Sequence, residues 1–122
     1  MIWKSVLAAV LIAMTSSAAS AQVVETAATP KGDTQSWLTI DDYPSAALRG
    51  GEQGTVRALL TIDSSGKATA CAVVRSSSSA LLDSTACSIA RRRARFKPAT
   101  DKSGTPVGDV WLFSYTWILP PR

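Results

Sequence analysis

The sequence contains no histidine. That removes the side chain that titrates near neutral pH and the commonest protein ligand for zinc. A serine nucleophile would then need a lysine or a terminal amine as its base, and neither Lys67 nor Lys97 stands in such a motif. The run Ser76–Ser79 therefore carries no catalytic reading. Gly50, Gly51 and Gly54 are not followed by the lysine and serine of a phosphate loop. No enzyme, cofactor, metal or small-molecule substrate is expected. Long apolar runs are absent too. The longest, Val6–Met14, has nine residues, against the roughly 20 that a membrane-spanning helix needs. The net charge of +4 owes much to Arg91, Arg92, Arg93 and Arg95. Such a surplus is too small and too local to imply nucleic acid, but it suits an anionic envelope surface.

What is present begins with an export pattern. Lys4 precedes the apolar run, and Ala19-Ser20-Ala21 offers small residues for cleavage between Ala21 and Gln22. Residues 1–21 are expected to be a signal peptide delivering the chain to the periplasm. The competing reading is an uncleaved inner-membrane anchor over residues 1–22. Export places Cys71 and Cys87, the only cysteines, in an oxidising compartment, where a disulfide is expected over two unpaired buried thiols. The 15 residues between them would close a loop that stabilises by about 3 kcal/mol.

Residues 22–39 are polar and without period, and are expected to form a flexible lead-in to one domain over residues 40–120. Asp41 to Gly51, "DDYPSAALRGG", predicts a short helix, with Pro44 in its first turn and Gly50-Gly51 as its stop. Val56, Ala58, Leu60 and Ile62 alternate with Thr55, Arg57, Leu59 and Thr61. "DSSG" (Asp63 to Gly66) then turns the chain back into a strand ending near Val74. Ser78 or Ser79 would cap a second helix whose apolar stripe runs through Leu82, Ala86 and Ile89, with Asp83 in its first turn and the arginines at its end. Cys71 lies on the strand and Cys87 on the helix. The order α-β-β-α-β predicts an α+β domain, a three-stranded antiparallel sheet with two helices on one face.

The last strand is apolar on both faces. Alternation puts Trp111, Phe113, Tyr115 and Trp117 on one side and Val110, Leu112 and Ile118 on the other, with Ser114 and Thr116 between the latter. Two readings stand. Both faces are buried, one beneath the helices and one in a homodimer or under the lead-in. Alternatively, the strand is an exposed sheet edge open to an added strand.

The punctuation of the chain, taken in order, resembles a known family. Tyr43-Pro44 is followed by a glycine break, "GTV" (Gly54 to Val56), "IDSSG" at the hairpin, "LLD" (Leu81 to Asp83), "RFKPA" (Arg95 to Ala99) and "GTPV" (Gly104 to Val107). The series resembles the C-terminal domain of TonB-family energy transducers. The resemblance implies a periplasmic domain that binds a short N-terminal segment of an outer-membrane receptor by adding it to the last strand, here Val110 to Trp117. It implies a part in energy-coupled transport and no catalytic residue. Full-length transducers also carry a membrane anchor with a histidine and a long proline-rich rod, and this chain shows neither pattern. It looks like a free-standing version. The alternative is a structural, homodimeric envelope module joined through the aromatic face.

Overall fold

The "DSSG" turn is closed from within. In the computed structural model, which describes residues 23–121, Asp63 Oδ1 accepts hydrogen bonds from the Ser65 and Lys67 amides and the Ser65 hydroxyl. Gly66 completes it at a φ of +87°, where a Cβ would lie 2.0 Å from the Phe96 carbonyl oxygen. Only glycine allows that approach. The Phe96 amide donates back to the Gly66 carbonyl over 2.9 Å, so the turn also anchors the chain leaving the second helix.

The strands in chain order are β1 (Thr29–Pro30), β2 (Gly54–Ile62), β3 (Ala68–Arg75), β4 (Phe96–Lys97), β5 (Ala99–Thr100), β6 (Pro106–Val107) and β7 (Asp109–Trp117). The helices are α1 (Ser45–Arg49) and α2 (Ala80–Arg93). The principal sheet is antiparallel in the order β3-β2-β7, while β1 pairs with β4 and β5 with β6 in small ladders. The architecture is the expected α+β fold, with three main strands and two helices against one face of the sheet.

Both helices are bounded by short polar signals. Pro44 sits at the N-cap of α1, one residue ahead of the helix. Gly51, at a φ of +63°, donates to the Leu48 carbonyl and Glu52 to the Ala47 carbonyl, the paired bonds of a left-handed helix stop. For α2 the cap is Ser79, whose hydroxyl accepts from the Leu82 amide at 3.2 Å. Asp83 does more than complement the helix dipole. Its carboxylate also accepts from the Ser77 amide and from the hydroxyls of Ser76 and Ser77. Burial pushes this carboxyl up, and those serine bonds outweigh it and hold it below its usual 3.8.

The core lies between the sheet and α2. Val56, Ala58, Leu60 and Ile62 point inward from β2 and meet Leu82, Ala86, Ile89 and Ala90 of the helix. Cys71 and Cys87 are joined as a disulfide with Cα atoms 5.6 Å apart, tying edge strand β3 to α2. The lead-in departs from expectation. Instead of hanging free, it is pinned by the β1–β4 ladder and a bridge from Thr26 to Thr100, and it buries Ala28, Trp37 and Leu38. Trp37 is the largest apolar contributor, and the backbone pairing and the burial of Ala28 and Leu38 add to it. Full burial of a large apolar side chain contributes about 1.5–3 kcal/mol, which together with the ladder bonds offsets the cost of ordering the segment.

Candidate functional site

Strand β7 is the candidate site, and its placement follows from a nine-residue register. Asp109 to Trp117 pair in order with Ile62 to Gly54 of β2 without a shift. No strand pairs with the opposite edge of β7 among the described residues.

Which backbone groups face that open edge follows from the hairpin. The Asp63 amide donates to the Lys67 carbonyl, so odd-numbered residues of β2 turn their backbone groups toward β3. Even-numbered residues turn theirs toward β7. The register then assigns Trp111, Phe113, Tyr115 and Trp117 to the bonds with β2. The backbone N–H and C=O groups of Leu112, Ser114 and Thr116 point outward. The two ends of the strand agree with this parity. Leu119 donates its amide to Gln53 Oε1 on the β2 side, at 3.4 Å. The Val110 amide is taken up by Asp109 Oδ1 at 2.8 Å, while Asp109 Oδ2 accepts from the Ala28 amide at 2.9 Å. The open stretch therefore runs from Leu112 to Thr116.

The two faces of β7 divide sharply. Trp111, Phe113, Tyr115 and Trp117 turn inward, as alternation predicts, and the chain covers them itself. Trp37 from the lead-in lies 5.7 Å from Trp111 and 5.8 Å from Phe113, Phe96 lies 5.5 Å from Trp111, and Tyr43 lies 5.0 Å from Trp117. Phe113 and Trp117 are each only 1% exposed. Phe113 and Trp117 are thereby closed to a partner, whereas Trp111 and Tyr115 stay half-buried at the margin of the core. Val110, Leu112, Ser114 and Thr116 are exposed on the other side. The lead-in does not cover this outer face, since its Trp37 packs on the inward side against Trp111 and Phe113.

The four arginines are not one patch. Arg93 is engaged: it donates to both carboxylate oxygens of Asp42 and to the Trp37 carbonyl. Arg95 donates to the adjacent Ala94 carbonyl and accepts the Lys31 amide on its own carbonyl, so it positions the chain between α2 and β4. Arg91 and Arg92 remain exposed at the helix end. The cleavage site at Ala21 and Gln22 lies outside the described residues.

Sequence reading missed Trp37 as the cover of the aromatic face, although "SWL" in a polar stretch was a visible signal. It also missed that Arg57 and Arg75 are brought opposite each other across β2 and β3, which depends on a bulge. Among the described residues no cluster of three or more His, Cys, Asp or Glu side chains could hold a metal, and no helix is long and apolar enough to cross a membrane.

Residues 41–115 match the family model described as Gram-negative bacterial TonB protein C-terminal. No curated protein matches the chain significantly.

Proposed function

Since the chain belongs to the family of Gram-negative bacterial TonB protein C-terminal domains, we propose that it binds an extended segment of another envelope protein along the open edge of β7. The observation that carries this reading is the outward set of backbone groups at Leu112, Ser114 and Thr116, on an unshifted strand left unpaired among the described residues. An added strand draws its affinity from main-chain hydrogen bonds and asks little of side chains. The partner is the periplasm-facing N-terminal segment of an outer-membrane receptor. The role is to engage that receptor in energy-coupled transport, with the chain exported through a cleaved leader. A rigid edge suits the task, because the inward aromatic residues lock β7 while its backbone stays available.

The test is an amide NMR titration of the purified protein with a peptide copied from such a receptor N-terminus. Shifts concentrated at Leu112, Ser114 and Thr116 are expected. Absence of binding, or shifts confined to α2 and β3, would sink the proposal.

A further inference from the structure

The outer face of the β3-β2-β7 sheet carries a pattern that strand addition does not use. Arg57 and Arg75 are directly opposite one another across β2 and β3, and both are exposed. Like charges so placed destabilise a sheet. Neither arginine has an acidic partner, the one ion pair among the described residues being Arg93–Asp42. By the strand register, no outward position of the three strands holds a carboxylate. Beside the arginines run rows of small and aliphatic side chains, Leu112–Leu59–Ala72 and Val110–Thr61–Ala70. Val74, Val110 and Leu112 are 58%, 53% and 45% exposed.

We propose that this face docks on an anionic lipid surface. The charge selects the occupant. An isologous pairing of two copies would collect four arginines and no acid in a single interface. An acidic protein is held best by a side chain anchored in a pocket, and two open depressions among the described residues lie away from this face. One is formed by Leu48, Arg49 and the Leu119–Pro121 tail, the other by Asp42, Ser84, Ile89 and Arg92. A bilayer asks for neither pocket nor register. It needs only unpaired cations at the level of the headgroups and shallow aliphatic contact beneath them. Docking uses side chains of the sheet face, whereas strand addition uses the backbone edge of β7. The domain can thus lie on a membrane and leave that edge open, and the proposal does not depend on the edge reading.

The experiment measures binding of the purified protein to two vesicle preparations, one of phosphatidylcholine and one of equal parts phosphatidylglycerol and phosphatidylcholine. Binding to the anionic vesicles alone is expected, weakening as salt rises. Each arginine near an anionic surface contributes about fivefold, so Arg57→Gln with Arg75→Gln should weaken binding roughly 25-fold. Arg91→Gln with Arg92→Gln, on the helix, should leave it within about twofold. Circular dichroism of both variants confirms that the fold is kept. Equal binding to neutral vesicles overturns the proposal, as does a larger loss from the helix pair. So does a failure to bind vesicles, whether the face instead captures an acidic protein or a second copy of the chain.

Discussion

Arg93 holds Asp42 with both of its terminal nitrogens, Nη1 at 2.7 Å from Oδ2 and Nη2 at 2.9 Å from Oδ1. The same Nη1 donates to the Trp37 carbonyl, so one guanidinium fastens the lead-in to the end of α2. The Arg93 hydrogen bond is the main reason the Asp42 carboxyl stays below its usual 3.8, against the effect of burial. A carboxyl depressed by folding stabilises the folded state above its ordinary value, and that contribution fades as pH falls through the folded value. Arg93→Ala should therefore lower the melting temperature clearly at pH 7, and the gap to the wild type should narrow from about pH 4 downward. Thermal melts across that range check it. A gap independent of pH would show that Arg93 acts only through Trp37.

The disulfide fastens β3, which otherwise touches the rest of the sheet on one side only. Replacing both Cys71 and Cys87 by alanine removes the cross-link without leaving a free thiol. Stability should fall by about 3 kcal/mol, as expected for a cross-link spanning 16 positions. Urea denaturation of the double variant, and of the wild type with and without reductant, measures it. Reduction should reproduce most of the loss.

Much of the fold was legible because its signals are local. The Asp63–Gly66 turn, the Ser79 cap and the glycine stop after Arg49 each depend on a few neighbouring residues, and each forms where those residues stand. The pairing of Cys71 with Cys87 was legible from an even count and an expected export pattern, and the two sulfurs are bonded. The apolar "SWL" marked Trp37 as a residue to be buried, but not where it docks, because its contacts with Trp111 and Phe113 join residues far apart in the chain. The cross-strand meeting of Arg57 with Arg75 was hidden for a different reason. A register irregularity between Arg57 and Ala58 shifts the partner by one residue, and alternation alone would have paired the strands otherwise. For the site, the last strand was legible as a candidate. The particular residues with outward backbone groups were not, since they depend on which neighbour β7 pairs with.

Trp117 is enclosed between Tyr43 and Tyr115, yet its indole Nε1 has no hydrogen-bond partner among the described residues. A buried donor left unpaired costs about 1–3 kcal/mol. Trp117→Phe keeps an aromatic ring against both tyrosines and removes that donor, so the loss of ring volume is largely offset. The change in stability should stay within about 1 kcal/mol, whereas Trp117→Ala should cost about 3–5 kcal/mol. Chemical denaturation of the two variants compares them. A Phe variant as unstable as the Ala variant would mean that the indole makes a bond, through water for example, that its surroundings do not reveal.

Ser114 separates the edge of β7 from its fold. Its backbone groups point away from β2, and its side chain is exposed. Proline is tolerated on an edge strand where the missing N–H would face solvent. Ser114→Pro should therefore fold, with a loss of about 1 kcal/mol or less, but it should lose binding to the receptor peptide because the central main-chain donor is gone. Phe113→Pro removes an N–H that bonds β2 and should unfold the domain, since it also deletes a buried ring whose loss alone costs about 3–5 kcal/mol. Calorimetry for stability and NMR titration for binding separate the two effects. If Ser114→Pro folds and binds as the wild type does, partner recognition does not run through the outer edge of β7.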